Sequence, residues 1–274
     1  MSKHTQNSRA TSASIKARKG GVPIVSLTAY DAPTAEVLDP HCDVLLVGDS
    51  VGMVVHGLPS TVGVTLDMMI MHGQAVMRGA STALVVVDLP FGSYESSAEQ
   101  AFTSAARVLQ ETGAGAVKIE SGIYAADTVA YLVERGIPVM AHVGLRPQAA
   151  LVTGGFKAKG RSASERDLVI EEARASDDAG AFAMVIEGID ESLASEITKI
   201  VSCPTIGIGA SSTCDGQILV TPDMLGMFAW TPKFVRKYAD QRADMEKAAR
   251  QYADDVKTRN FPGDAETYRL KKDG

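Results

Sequence analysis

CDVLLVGDSVGM, residues 42–53, climbs through Val44, Leu45, Leu46 and Val47 and then breaks at once into Gly48 and Asp49. A run that is apolar at every position reads as a strand buried on both faces, the pattern of a parallel sheet covered by helices. A Gly-Asp ending suits an ordinary turn, so one such ending decides nothing. The ending recurs, however. ALVVVDLPF (83–91) stops near Asp88, GAVKIES (115–121) reaches Glu120 with Lys118 two residues before it, IPVMAHVGL (137–145) carries His142, and AFAMVIEG (181–188) closes on Glu187.

Outward from these runs, VPIVSLTAY (22–30), PTIGIGA (204–210) and a weaker QILV (217–220) bring the strands to about eight. Apolar residues at helical spacing fill the intervals at 65–80, 97–112, 125–135, 163–179 and 191–201. Strand and helix alternating without a break in composition predict an α/β protein, a (β/α)₈ TIM barrel. A doubly wound open sheet is the alternative. No G-x-G-x-x-G follows the first strand, and GIGAS comes too late in the chain for that role.

PKFVRKYADQRADMEKAARQYADDVKTRNFPG (232–263) reads as one long amphipathic helix, with Tyr238, Met245 and Tyr252 seven apart. It is a C-terminal helical extension that either docks on its own domain or meets another subunit. The expected division is a disordered N-terminal tail (1–20), a barrel catalytic domain that includes the C-terminal helix (21–262), and a polar C-terminal tail (263–274).

The chain has 274 residues, 45% hydrophobic and 22% charged, enough for a sizeable core. A net charge of -6 argues against the broad cationic surface that nucleic acid requires. Cys42, Cys203 and Cys214 are far apart and form no CxxC pair, so neither a disulfide framework nor a zinc cage is expected. No apolar stretch approaches the roughly 20 residues that cross a bilayer, and residues 1–20 have no apolar segment of a secretory signal. A cytoplasmic protein with no membrane partner is expected. The absence of Asp and Glu before Asp31 also suits a transit peptide, although a short disordered tail is the simpler account.

In a barrel, Asp49, Asp88, Glu120, His142 and Glu187 converge on the mouth where such folds place their active sites. A single carboxylate there can cap the following helix; five consecutive strands ending in ionisable groups exceed what capping explains. Crowded like charges repel unless a cation or protons compensate them. Asp49, Asp88 and Glu120 offer only oxygen, which favours a hard divalent ion, Mg²⁺ by default. Such an ion can chelate a 2-oxo acid through its ketone and carboxylate oxygens and acidify the neighbouring C–H. A carboxylate base can then take the proton, with the metal and Lys118 stabilising the oxyanion of the resulting enolate.

The ordered series GDSVGMVVHG (48–57), STVGVTLDMMIMHGQAVMRGA (60–80), VVVDLPFGSY (85–94), AVKIESG (116–122), MAHVGLRPQ (140–148), GGFKAKGR (154–161), IGIGASSTCDGQILVTPDMLG (206–226) and PKFVRKY (232–238) resembles the ketopantoate hydroxymethyltransferase family. The match runs from about residue 20 to residue 262. The resemblance implies a magnesium-dependent barrel that carries a one-carbon unit from 5,10-methylenetetrahydrofolate to 3-methyl-2-oxobutanoate. The product is 2-dehydropantoate, for pantothenate and coenzyme A synthesis. It implies Asp49 and Asp88 as metal ligands with Glu120 completing the metal site. Asp49, Ser50, Asp88 and Lys118 are implied as contacts of the 2-oxo acid, Glu187 as proton acceptor, His142 as pocket lining, and a homodecamer of two pentamers as the assembly.

Two positions depart from the family pattern. Ser211 stands where Gly usually follows IGIGA, and Lys159 replaces a neutral amide in KAKGR, both expected near the mouth and bearing on folate binding. Two rivals stay open: a lyase or mutase of the phosphoenolpyruvate mutase and isocitrate lyase type, which calls for a reactive cysteine in a mouth loop, and a non-catalytic binding barrel. His56 and His72 read as packing or capping residues. Lys157, Lys159 and Arg161 read equally as an anion grip or a solvated loop.

Overall fold

The strands form where the apolar runs predict them. The computed structural model describes residues 9–268 and contains β1 (Ile24–Thr28), β2 (Val44–Val47), β3 (Leu84–Asp88), β4 (Ala116–Lys118), β5 (Val139–Gly144), β6 (Ala183–Glu187), β7 (Thr205–Ile208) and β8 (Gly216–Leu219). Every neighbouring pair is parallel, and β8 pairs with β1 to close the barrel. The helices are α1 (Ser12–Lys16), α2 (Ala32–Leu38), α3 (Val51–Val54), α4 (Leu66–Gly79), α5 (Ala98–Thr112), α6 (Ala126–Glu134), α7 (Ala150–Thr153), α8 (Ala163–Asp178), α9 (Glu191–Ile200), α10 (Thr221–Met224) and α11 (Gln241–Thr258). Side-chain oxygens of Thr65, Ser97, Ser162 and Asp190 cap the first turns of α4, α5, α8 and α9, while Gly113 in the left-handed region stops α5.

Alternation along each strand divides the core in two. Val44 and Leu46 of β2, Leu84 and Val86 of β3, Ala116 of β4, Met140 of β5, and Ala183 and Val185 of β6 fill the barrel interior. Their neighbours Leu45, Val47, Val85, Val87, Val117, Ala141, Val143, Met184 and Ile186 pack in the layer between sheet and helices. The inward series continues past the apolar residues to Asp88 on β3, Lys118 and then Glu120 beyond β4, His142 on β5 and Glu187 on β6. The same two-residue period that builds the core thus delivers ionisable groups to its upper end.

Two expectations need correction. Residues 12–16, expected inside a disordered tail, form α1, capped by Thr11, and its Ile15 is buried with the barrel-interior residues. One large apolar side chain among polar ones escapes a reading based on composition, and the Ala10 N–H bond to the Thr82 carbonyl at 2.7 Å helps hold the segment in place. The rest of that tail, residues 1–8, and residues 269–274 of the C-terminal tail lie outside the described residues. The long helix expected over 232–263 begins only at Gln241, because Asp240 accepts a hydrogen bond from the Ala243 N–H at 3.3 Å and caps it there. It ends at Arg259 in the left-handed conformation, and none of its residues is buried. The chain divides into a unit ending at Thr221, which contains the barrel, and a second beginning at Pro222, which contains α11. Among the described residues, no helix is long and apolar enough to cross a membrane.

Candidate active site

The register of β3 on β4 sets Asp88 opposite Lys118. Their side chains meet in an ion pair, Asp88 Oδ1 to Lys118 Nζ 2.9 Å, with both side chains less than one-tenth exposed. Asp88 Oδ2 accepts the Asp49 backbone N–H at 3.0 Å, which ties the turn after β2 to the end of β3. A Cβ on Gly48 in this turn would lie 2.8 Å from Ser50 Oγ and 3.6 Å from Asp88 Oδ2, so a larger residue would displace the Ser50 hydroxyl. Ser50 Oγ is 2.8 Å from the buried Tyr30 hydroxyl.

On the far side of Lys118, its Nζ lies 3.4 Å from His142 Nδ1. His142 Nε2 is 3.3 Å from Glu187 Oε2 but is not aligned to hydrogen-bond with it. Glu187 is the most open of the set, its side chain 20% exposed. Gly144, two residues beyond His142, adopts φ +94°, and a Cβ there would collide with the Glu187 backbone carbonyl. The close approach lets Leu145 N–H donate to that carbonyl at 2.9 Å.

Electrostatics follow from burial and from a charge imbalance. Burial, then repulsion from Asp88, pushes the Asp49 carboxyl up to about 7, although Lys118 and Gln148 act the other way. Burial and the Asp49 charge raise Glu120 well above the ordinary carboxylate range. Burial works against the Lys118 ammonium, but Asp88, Asp49 and Glu120 more than offset it and keep it charged. Burial and the Lys118 charge depress His142, so it is a neutral imidazole near pH 7.

Asp49, Asp88 and Glu120 therefore face one buried cation, and the remaining negative charge raises carboxyl affinities for protons. A site with that imbalance and only oxygen donors suits a hard divalent cation. Among the described residues, no three His, Cys, Asp or Glu side chains are grouped to hold a metal. Mg²⁺ takes one or two carboxylates and leaves its other positions to water and substrate, so it does not require a third protein ligand.

The structure also reveals members that motif reading missed. Gln148 is buried just after β5, and its Nε2 donates to Asp49 Oδ2 at 2.8 Å and to the Leu89 carbonyl at 3.0 Å. Its backbone N–H faces both Glu120 carboxylate oxygens at 3.2 Å. The buried Tyr94 hydroxyl donates to Gln148 Oε1 at 2.6 Å and accepts the Glu120 backbone N–H at 3.2 Å. The available signal was weak: a lone amide following Arg146-Pro147 in a loop at the mouth.

Other singled-out residues have internal partners. Ser211 is buried and donates to Glu191 Oε1 at 2.9 Å. Lys159 is held through its backbone N–H, which donates to the Gly188 carbonyl at 2.9 Å beside Glu187. A Cβ on Gly207 would press on Cys214 and Gln217 at 3.1 Å, in keeping with a packing role. His72 contacts the Tyr30 carbonyl through Nδ1 at 2.6 Å and the exposed His56 through Nε2 at 2.9 Å. Cys42, Cys203 and Cys214 are all free and lie on the segments leading into β2, β7 and β8, away from the strand ends that carry the acidic set.

Comparison with known proteins gives a consistent result. Residues 9–264 match the model of the ketopantoate hydroxymethyltransferase family. A 3-methyl-2-oxobutanoate hydroxymethyltransferase from Hyphomonas neptunium is 69% identical over 274 residues, covering 100% of each chain. One from Phenylobacterium zucineum is 66% identical, covering 99% of each. Among solved structures, 2,3-dimethylmalate lyase, of the PEP mutase/isocitrate lyase superfamily, superposes with a TM-score of 0.59 at 16% identity, covering 94% of this chain and 89% of that one. At that identity the likeness shows the barrel fold alone.

Proposed function

The chain belongs to the ketopantoate hydroxymethyltransferase family, and from that premise we propose that it transfers a hydroxymethyl group from 5,10-methylenetetrahydrofolate to 3-methyl-2-oxobutanoate. The product is 2-dehydropantoate, a precursor in pantothenate and coenzyme A biosynthesis. The observation that carries this reading is the buried set Asp49, Asp88, Lys118 and Glu120 with Glu187 at its rim.

Asp49 and Asp88, with Glu120 completing the site, would hold Mg²⁺, which when bound withdraws electrons from a chelated 2-oxo acid and acidifies its neighbouring C–H. Lys118 stays charged through its carboxylate neighbours and stabilises the negative charge that develops on the ketone oxygen. Ser50 and His142 line the oxo acid. Glu187 takes the proton from the branched carbon through its carboxylate oxygen; its neighbour His142 is neutral, so no ion pair occupies that carboxylate. Water opens the methylene bridge of the folate: both of its C–N bonds break, tetrahydrofolate leaves with the protons its nitrogens need, and the one-carbon unit is left at the oxidation level of formaldehyde. The substrate carbon bonds to that carbon, and the oxygen that came from water takes up the proton held by Glu187 to become the hydroxyl.

The lyase or mutase alternative lacks its nucleophile, since no cysteine occurs on the loops that follow the strands bearing the acidic set. The same family reading extends to a homodecamer of two pentamers in the cytoplasm, which sedimentation of the purified protein tests. Incubation with magnesium, 3-methyl-2-oxobutanoate and methylenetetrahydrofolate should yield 2-dehydropantoate, and EDTA should abolish it. No product in the complete mixture would overturn the proposal.

A further inference from the structure

We propose that Gln148 is a positioning residue for the divalent cation and the 2-oxo acid: its carboxamide sets the Asp49 carboxylate and its backbone N–H sets that of Glu120. The proposal rests on the reading of Asp49 and Glu120 given above. A carboxylate at the end of a side chain rotates in a broad, roughly two-fold well, so burial alone does not fix it. Here one residue addresses two of them. Both amide hydrogens are used, on Asp49 Oδ2 and on the Leu89 carbonyl, so the Asp49 carboxylate is held against the backbone just past β3. The backbone N–H of the same residue meets Glu120, from beyond β4, at 3.2 Å to each oxygen.

The carboxamide has only one workable orientation. Tyr94 spends its hydroxyl lone pair on the Glu120 N–H and donates its proton to Gln148 Oε1 at 2.6 Å. Nε2 must therefore face the two acceptors; a flipped amide would set oxygen against both of them. The choice of residue also follows from charge. A lysine or arginine could hold Asp49 equally well, but it would cancel the negative charge that draws a cation. Glutamine supplies two N–H groups and no charge, which leaves the imbalance intact. Such supporting bonds in metal sites are worth about 10- to 100-fold in affinity or activity.

The test compares Gln148→Met, which keeps the shape and the backbone N–H to Glu120 and loses the carboxamide donors to Asp49 and Leu89, with Tyr94→Phe, the double variant and Asp49→Ala. Calorimetry reads Mn²⁺ and 3-methyl-2-oxobutanoate binding without turnover, and kinetics separates kcat from KM. Q148M should weaken cation-dependent oxo-acid binding about 10- to 100-fold and raise KM for the oxo acid, with the circular dichroism spectrum unchanged. Y94F should weaken it less, by roughly threefold or more, and should cost little beyond Q148M in the double variant, because its hydroxyl acts largely through the carboxamide.

Q148M binding within about twofold of the unsubstituted protein, or losses that multiply in full in the double variant, would overturn the proposal. Should Q148M not fold, Y94F decides alone: unchanged affinity overturns the proposal, and the expected loss supports it. D49A separates the two readings. If D49A loses binding while Q148M does not, only the role of Gln148 fails; if D49A binds normally, the assignment of the site fails and takes this proposal with it.

Discussion

Asp49→Asn should make the metal-free protein more stable at pH 8, although it removes a residue placed at the centre of the site. Asp49 is buried, and its carboxyl moves from an ordinary 3.8 to about 7 through burial and the Asp88 charge. A folded-state value above the unfolded one means that the folded protein binds the proton more tightly. Stability from this group is then fully present below about 3.8 and is lost as pH rises to about 7. The displacement corresponds to a cost on the order of 4 kcal/mol once Asp49 is ionised. At pH 5 most of that cost has not yet been incurred, and it falls to roughly 1–2 kcal/mol. Asparagine keeps the shape, offers an oxygen to Gln148 and never ionises. At about 2–4 °C per kcal/mol for a chain of this size, D49N in EDTA should melt roughly 8 °C or more above the unsubstituted protein at pH 8. The gap should shrink several-fold at pH 5. Adding Mg²⁺ should reverse the order, because ligand binding stabilises only the protein that can hold it. Calorimetric melting at the two pH values, with EDTA and with magnesium, reads all of this. A D49N no more stable at pH 8, or a gap equal at both pH values, would refute the electrostatic account of the site.

Other perturbations separate chemistry from architecture. Glu187→Gln should retain magnesium and oxo-acid binding while exchange of the branched-carbon hydrogen with deuterated water collapses by about 100-fold or more; undiminished exchange, followed by NMR, would remove Glu187 from the role. Asp39 receives backbone N–H groups from Ser81, Thr82 and Ala83 at 2.8–3.0 Å. Despite opposing burial, these bonds and those from the Ser81 and Thr82 hydroxyls hold its carboxyl below the ordinary range. Asp39→Ala should cost about 2–4 kcal/mol near neutral pH, measured by urea unfolding. In the unsubstituted protein this contribution is present above about 3.8 and is lost as pH falls below that value. Ile15→Ala should lower stability by about 2–4 kcal/mol and speed proteolysis ahead of β1, with little change in kcat.

The barrel was legible because β2 to β6 are apolar along most of their length, and the candidate site because each of these strands exchanges that rule for an ionisable group at the same end. Asp88 and Lys118 even sit in register, as two neighbouring runs ending in opposite charges suggest. Gln148 and Tyr94 close two of the quoted motifs, but their roles were illegible for the opposite reason. Each sits in a loop without periodicity, and Gln148 finds Asp49 across 99 positions of sequence, a pairing set only by closure of the barrel. The start of α11 was misplaced because the seven-residue spacing of Tyr238, Met245 and Tyr252 crosses the Asp240 cap, and spacing alone carries no sign of a cap. Burial of α1 likewise depended on one isoleucine that no window average singles out.

The seam between β1 and β8 joins Ile24 to Gly216, residues from opposite ends of the unit. A ring closed this way has a consequence in time. During synthesis the strands bearing the acidic groups emerge well before the last stave that completes the hoop, so the nascent chain holds several carboxylates side by side with no finished wall around them. Closure is a late and long-range event of the kind that makes folding slow, and on the proposed reading the capacity to hold a cation would arrive with the final strands, not with the carboxylates themselves.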